Sequence, residues 1–274
     1  MTQALLYQGR VLVLAGSDSG GGAGIQADIK TVTALGGYAA TAITAVTVQN
    51  TLGVTGVHPI PPEIVEAQAR AVLDDIGTDA FKTGMLGDVA MVETVARVLA
   101  SAPGVPAVVD PVMVAKGGAS LLAQAAIGAV RTLMIPRAAL LTPNAPEAAA
   151  LTGLVVETTD DLRRAGEALL TLGAKAVLMK GGHILGGEGA GERVIDLLMT
   201  PHGETTFEGE RIDTRHTHGT GCTLASACAT GLAQGLSLTE SVARAWNYVH
   251  EAMLRAPGFG AGHGPLDHAW VVRR

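Results

Sequence analysis

Short apolar runs alternate along this chain with longer segments whose apolar residues recur every three or four positions. A continuous apolar run is typical of a strand buried on both faces of a sheet, whereas the wider spacing predicts an amphipathic helix. The segments that we interpret as strands are 11–15, 38–48, 54–58, 80–83, 106–109, 140–141 and 176–179. Helices are predicted over 25–35, 61–75, 88–99 and 158–173, with two more that begin near 223 and 237.

One segment departs from this alternation. Residues 194–199 and 205–212 flank the turn Pro201-His202-Gly203 and predict an antiparallel hairpin. The regular alternation elsewhere implies an α/β fold, with a mostly parallel central sheet and helices on both faces. We find no linker or repeat, so we expect residues 1–274 to form a single domain, with 186–191 as a mobile loop.

Polar side chains follow the predicted strands at the points where the strands end. They are Asp18, Gln49, Asp110, Asn144, Glu147 and Lys180. Because ligands of open α/β sheets bind outside the carboxyl ends of the strands, these side chains should converge on one edge. The sequence therefore predicts an active site at that edge.

The segment Thr217-His218-Gly219-Thr220-Gly221-Cys222 joins a polar loop to a helix and is typical of an anion cradle. The free N–H groups and the positive end of the helix dipole attract phosphate, and glycines let the backbone approach a ligand. The same field favours a thiolate at Cys222, which could act as a base or nucleophile, although bound polyphosphate would raise its pKa again. A glycine-rich turn before a core helix, with a small buried cysteine, explains the same residues equally well.

The net charge and the number of cysteines argue against several classes of function. The formal net charge is -6 and the pI is about 5.7, which argue against a nucleic-acid partner. Cys222 and Cys228 are too few for a zinc cluster and are separated by a helical interval that does not suggest a disulfide. We therefore expect a cytoplasmic protein, and no apolar run approaches the ~20 residues that span a membrane.

The polar residues at the predicted edge fit phosphoryl transfer better than other nucleotide chemistry. A Walker A loop is absent, and Ile25 replaces the third glycine of a dinucleotide-binding fingerprint. A lysine, Lys180, and two separated carboxylates, Asp110 and Glu147, could neutralise phosphate oxygens directly and through Mg²⁺. A base at a helix N-terminus would then accept the proton of the acceptor hydroxyl.

Seven blocks in order resemble the bacterial hydroxymethylpyrimidine/phosphomethylpyrimidine kinases of thiamine biosynthesis. They are AGSDSGGGAGIQAD at 15–28, VQNT at 48–51, KTGML at 82–86, DPVM at 110–113, TPNAPE at 142–147, KGGH at 180–183 and HGTGC at 218–222. The resemblance implies a ribokinase-like fold and Mg-ATP as the phosphoryl donor. It also implies two transfers, first to the hydroxymethyl group of 4-amino-5-hydroxymethyl-2-methylpyrimidine and then to the resulting monophosphate. A homodimer is suggested as well.

The same resemblance implies roles for individual residues of the phosphate and metal sites. Gly219, Thr220 and Gly221 match the family's anion hole, and Cys222 matches its candidate base. Lys180 matches the phosphate-binding lysine. Asn144 and Glu147 match an element that positions Mg²⁺, with Asp110 nearby, although Asn144 could simply cap a short helix.

Four further positions match the pyrimidine pocket: Gly16, Asp28, Gln49 and Met85. A glutamine amide can accept a hydrogen bond from the 4-amino group while donating one to a ring nitrogen, as it does with adenine. Met85 is equally well explained as core, and Asp28 as an exposed helix residue or a salt-bridge partner. Ala119 is a departure, because relatives often have an acidic residue at that position.

Three other functions stay open at this point. A pyridoxal or pyridoxine kinase would share the fold and the phosphate machinery, but the pyridoxal ring lacks the amino group that Gln49 would recognise. A non-catalytic nucleotide or metabolite sensor could use the same fold, against which the presence of Lys180, Glu147 and Cys222 argues. A dehydrogenase is the remaining alternative.

Overall fold

The computed structural model describes residues 8–114, 118, 121–184 and 192–273. Its strands are β1 Arg10–Ala15, β2 Tyr38–Ile43, β3 Ala45–Asn50, β4 Gly53–Pro59, β5 Ala80–Thr83, β6 Ala107–Val109, β7 Leu140–Leu141, β8 Val177–Met179, β9 Arg193–Thr200 and β10 Gly203–Glu210. Its α-helices are α1 Gly24–Ala34, α2 Pro62–Asp75, α3 Val89–Ala100, α4 Ala126–Ala129, α5 Ala145–Thr152, α6 Thr159–Thr171, α7 Thr220–Ala233 and α8 Leu238–Leu254.

The central sheet has eight strands in the order β10-β9-β8-β7-β6-β5-β1-β2. Every pairing from β2 across to β8 is parallel, whereas β9 pairs antiparallel with β8 and with β10. The predicted hairpin is confirmed and forms one margin of this sheet. The strand order reverses beside β1, which places a crevice for ligands at the carboxyl ends of the strands.

Helices cover both faces of the sheet, as the alternation predicts. Leu12 and Leu14 of β1 point into the core cluster formed with α2 to α6, while Val11 and Val13 point into the cluster formed with α1, α7 and α8. Alternate side chains of a strand face opposite sides, so a strand covered on both sides must be apolar throughout. The α/β fold expected from the sequence, with a mostly parallel central sheet and helices on both faces, is confirmed.

The prediction of one strand over 38–48 was wrong. Strand β2 runs parallel to β1 as far as the pair Ala15 and Ile43, where β1 ends. The chain then turns at Thr44 and forms β3, which pairs antiparallel with β4 in a separate two-stranded sheet. Residues of β3 alternate between buried and exposed, which is typical of a hairpin with one covered face. The turn carries Gln49 to the ligand-binding edge.

Two sequence predictions concern residues outside the described ranges: the mobile loop at 186–191 and the departure at Ala119. Over the ranges that are described, no helix combines the length and apolar character needed to cross a membrane.

Candidate active site

A cavity of about 930 Å³ opens at the carboxyl edge of the sheet, where the sequence analysis placed the site. Eleven of the twelve predicted site residues line it: Gly16, Gln49, Met85, Asp110, Asn144, Glu147, Lys180, Gly219, Thr220, Gly221 and Cys222. The exception is Asp28. The cavity thus brings together residues that come from both halves of the chain.

The glycines before α7 shape one end of the cavity. Gly219 has a φ of 86° and caps α7 without a side-chain hydrogen bond. A β-carbon at Gly219 would collide with the carbonyl oxygen of Gly22, so only glycine fits there. A β-carbon at Gly221 would instead lie 3.2 Å from Lys180 Nζ and 3.6 Å from Asp110 Oδ2. The first turn of α7 therefore faces Lys180 across a space left by a missing side chain, where its free N–H groups can bind an anion.

Lys180 is held by two carboxylates at this end. Its Nζ lies 3.1 Å from Asp110 Oδ1 and 3.9 Å from Glu147 Oε2. Burial alone would lower the pKa of Lys180, but Asp110 and Glu147 outweigh that effect and raise it to about 12. Lys180 is therefore a permanent cation, and its side chain is 14% exposed and can reach a ligand.

Glu147 has a structural role in addition to its place in the cavity. Asn144 caps α5, and the two residues form a capping box in which Glu147 N donates to Asn144 Oδ1 over 2.9 Å and Asn144 N donates to Glu147 Oε2 over 2.8 Å. The alternative interpretation of Asn144 as a cap is thus confirmed. Burial raises the pKa of Glu147 to about 7, and Lys180 opposes this rise.

Cys222 lies in the first turn of α7, as predicted, and is half-buried. The expectation that the positive end of the helix dipole makes Cys222 a thiolate is wrong for this structure. Burial raises the pKa of Cys222 to about 11, although the nearby cation of Lys82 acts to lower it. Desolvation of the sulfur therefore outweighs the field, and Cys222 is a thiol at neutral pH in the free protein.

Gly16, Gln49 and Met85 form the other end of the cavity. A β-carbon at Gly16 would lie 3.2 Å from Met85 Sδ, so the glycine leaves room beside the thioether. The backbone carbonyl of Met85 accepts a hydrogen bond of 2.7 Å from Thr44 Oγ1, which ties this loop to the bend between β2 and β3. Gln49 is half-buried, and its Oε1 accepts from Thr47 Oγ1 over 3.2 Å. This end offers an amide and a sulfur to a small ring.

The structure corrects the expectation that Asp28 lines the cavity. Asp28 is fully buried beneath it, where its carboxylate binds Lys82 Nζ over 2.8 and 2.9 Å and accepts a 2.6 Å hydrogen bond from Ser226. Asp28 lies on a core-facing position of α1, opposite the strand that carries Lys82. Asp28 is therefore a salt-bridge partner, which is one of the alternatives that the sequence left open. Lys82, and not Asp28, is among the residues that line the cavity.

A buried histidine and aspartate join the two ends of the cavity, and sequence reasoning missed this pair. His218 Nε2 lies 2.8 Å from Asp18 Oδ2 and 3.4 Å from Gln49 Nε2. Asp18 also accepts hydrogen bonds from the N–H groups of Gly20, Gly22 and Ala23. Burial acts to raise the pKa of Asp18, but His218 and these N–H groups outweigh it and hold the pKa below its usual value. The pair therefore fixes the first glycine-rich loop against the anion cradle.

The carboxylates of Asp110 and Glu147 suit a hard cation such as Mg²⁺. Mg²⁺ is usually bound by one or two carboxylates together with water and substrate phosphates, rather than by a complete cage of side chains. Within the described ranges, no group of three or more His, Cys, Asp and Glu side chains is placed to hold a metal ion by itself. Both carboxylates line the cavity beside Lys180.

Comparison with known proteins places this arrangement in a family. The family model described as phosphomethylpyrimidine kinase matches residues 18–267. A hydroxymethylpyrimidine/phosphomethylpyrimidine kinase of Streptomyces coelicolor is 51% identical over 262 residues, which cover 96% of this chain and 95% of the relative. An ADP complex of Bacillus subtilis pyridoxal kinase superimposes with a TM-score of 0.89 at 34% identity, covering 97% of this chain and 100% of that one. A phosphomethylpyrimidine kinase of Clostridium difficile superimposes with a TM-score of 0.78 at 40% identity, covering 89% and 98%. The chain therefore belongs to the phosphomethylpyrimidine kinase family.

Proposed function

We propose that this protein is an ATP-dependent kinase of thiamine biosynthesis that acts twice on one pyrimidine. It transfers the γ-phosphoryl group of ATP to the hydroxymethyl oxygen of 4-amino-5-hydroxymethyl-2-methylpyrimidine, and then a second phosphoryl group to the monophosphate. The observation that carries this proposal is the cavity itself. One end has the features of a small-ring site and the other those of a phosphate site, and they are continuous.

The phosphate end supplies positioning and charge. Lys180 donates to phosphate oxygens, and the N–H groups at the start of α7 face the anionic charge that is redistributed during transfer. Asp110 and Glu147 would hold Mg²⁺, which supplies Lewis-acid neutralisation of the phosphate oxygens. Because phosphoryl transfer requires mainly alignment and electrostatic stabilisation, these groups account for most of the chemistry.

Cys222 is the candidate base for the first transfer, because it lines the cavity in the first turn of α7, beside the phosphate end. The thiolate is the form of Cys222 that can accept the hydroxyl proton, and a pKa of about 11 leaves roughly one molecule in 10⁴ in that form at pH 7. The same high pKa makes this thiolate a strong base, which takes the proton as the hydroxymethyl oxygen bonds to phosphorus. The monophosphate is already anionic and needs no base, so Cys222 matters less in the second transfer.

Gln49 is the proposed specificity residue for the ring. Its amide can pair with the 4-amino group and an adjacent ring nitrogen, a pattern that pyridoxal lacks. Gln49→Leu should raise the KM for the pyrimidine by roughly 10-fold or more, which corresponds to a loss of ~1.5 kcal/mol for a buried hydrogen-bond pair. A coupled assay of ADP release should show an unchanged KM for ATP. An unchanged KM for the pyrimidine would remove Gln49 from the site.

Pyridoxal phosphorylation is the second candidate activity, favoured by the high TM-score with the pyridoxal kinase of B. subtilis. The phosphate end would serve both acceptors. Gln49 favours the aminopyrimidine, and direct competition between the two rings separates the candidates.

We further propose that residues 1–274 act as one domain in a cytoplasmic homodimer. Sedimentation velocity at micromolar concentration tests the assembly, with a single species of twice the 27.8 kDa chain mass as the expected result. A monomer at all concentrations would contradict it.

A further inference from the structure

Lys82 and Asp28 form an ion pair in the core directly under the cavity. Both side chains are fully buried, and Lys82 Nζ contacts both carboxylate oxygens over 2.8 and 2.9 Å. Such a pair contributes little net stability, because desolvation of the two charges offsets their attraction and apolar residues often serve as well. A stability role therefore does not explain why two charges are buried at this position.

One donor of Lys82 is left for a ligand. An ammonium group has three N–H donors, and Asp28 accepts two of them. Across the described ranges, no third acceptor lies within hydrogen-bond distance of Nζ. Gly84 also lines the cavity, and a β-carbon there would lie 3.2 Å from Nζ. The missing side chain at Gly84 thus leaves a gap beside the ammonium that a ligand oxygen would have to enter, since the Lys82 side chain is 0% exposed in the free protein.

Helix α7 fixes where this ammonium lies relative to the candidate base. Ser226 donates a 2.6 Å hydrogen bond to Asp28 Oδ1, so this face of α7 looks toward the ion pair. Cys222 precedes Ser226 by four residues and therefore lies on the same face, one turn closer to the cavity. Burial acts to lower the pKa of Lys82, but the carboxylates of Asp28 and Asp110 raise it above its usual value, so the ammonium stays charged.

We propose that Lys82 is a catalytic residue that donates its third N–H to the acceptor oxygen, in a role that rests on the proposed kinase function. In the first transfer the hydroxymethyl O–H gives its proton to the Cys222 thiolate, and a bond forms from that oxygen to the γ-phosphorus. The bond from phosphorus to the bridging oxygen breaks, and ADP leaves with the electron pair. In the second transfer a phosphate oxygen of the monophosphate attacks the γ-phosphorus of another ATP from the position that the hydroxymethyl oxygen held before. Lys82 keeps its proton in both steps and stabilises the oxygen as its charge changes.

The test combines a charge-neutral variant with a change in the ligand. The double variant Lys82→Met/Asp28→Asn removes both charges and avoids an unpaired buried ion. Calorimetry compares its affinity for the 5-hydroxymethyl pyrimidine and for the 5-methyl analogue, which lacks only the acceptor oxygen. We expect the oxygen to improve binding to wild type by about 10-fold, as for a charge-assisted hydrogen bond, and to have no effect on the variant. We also expect kcat to fall by about 10- to 100-fold in both transfers, with the KM for ATP unchanged.

A second variant keeps the inference testable if the double variant does not fold. Gly84→Ala retains both charges and places a methyl group 3.1 Å from the β-carbon of Ala15 and 3.2 Å from Lys82 Nζ, so it should also abolish the effect of the acceptor oxygen on binding. The inference is overturned if the hydroxyl improves binding equally in wild type and in either folded variant, since Lys82 would then have only a structural role. Failure of the wild type to phosphorylate the pyrimidine at all would instead overturn the proposed function.

Discussion

Replacement of Gly221 by alanine should separate stability from activity. Gly221 lies in the first turn of α7, and the added methyl group would project toward Lys180 and Asp110, at 3.2 and 3.6 Å from their nearest atoms. The nearest of these atoms is the end of a flexible side chain, which can move aside. Alanine is favoured over glycine in a helix by about 0.5 to 1 kcal/mol. The free energy of unfolding should therefore stay constant or rise slightly.

Activity should change in the opposite direction. The methyl group fills the space between the helix N-terminus and Lys180, where we place the phosphate chain. Loss of one hydrogen bond to a charged group costs about 1.5 to 3 kcal/mol, so kcat/KM for ATP should fall roughly 10- to 150-fold. Urea unfolding and steady-state kinetics on the same preparation measure both quantities.

Gly128→Ala is the matched control. Gly128 is an exposed helical glycine of α4, and no atom lies within 4 Å of a β-carbon built there. This variant should gain a similar helix propensity and keep wild-type kinetics. The reasoning would be refuted if Gly221→Ala kept wild-type kcat/KM, or if it lost activity only in proportion to a loss of stability.

Three further predictions follow from the site. Cys222→Ala should reduce the first transfer at least 10-fold more than the second, because only the first acceptor must lose a hydroxyl proton; equal losses would indicate a positional role instead. His218→Leu should raise the KM for the pyrimidine about 10-fold at constant KM for ATP, whereas His218→Gln, which keeps a nitrogen donor toward Asp18, should restore most of it; equal effects of the two variants would exclude this hydrogen bond. Burial lowers the pKa of His268 to about 4, so its protonation favours the unfolded chain. The stability that neutral His268 provides is complete above pH 6.5 and should be lost as pH falls toward 4, by up to roughly 3 kcal/mol; an equally steep acid limb in His268→Gln would contradict this assignment.

The sequence predicted the parts of the fold that follow from burial alone. Strands β1 and β6 are covered on both faces and therefore appear as continuous apolar runs. The break at Thr44 was missed because 38–48 is uniformly rich in strand-forming residues, and only the end of β1 shows where β2 loses its partner. Local preference cannot reveal the point at which a neighbouring strand stops.

In the candidate site, local sequence patterns predict the position of some residues, whereas the position of others depends on partners far away in the chain. Gly219 and Lys180 could be placed from the sequence because a helix start and a strand end fix their positions. Asp28 could not, because its burial depends on Lys82, which is 54 residues away, and on Ser226 in α7. The His218 and Asp18 pair spans 200 residues, so no local pattern indicates it.

The most direct test of the central claim is mass spectrometry of the products after purified protein is incubated with Mg-ATP and equal amounts of the hydroxymethylpyrimidine and pyridoxal. We expect the pyrimidine monophosphate to appear first and the diphosphate after it, with little pyridoxal phosphate. Pyridoxal phosphate as the sole product would leave the phosphate end of the cavity in place but contradict the assignment of Gln49 and of the pyrimidine as acceptor.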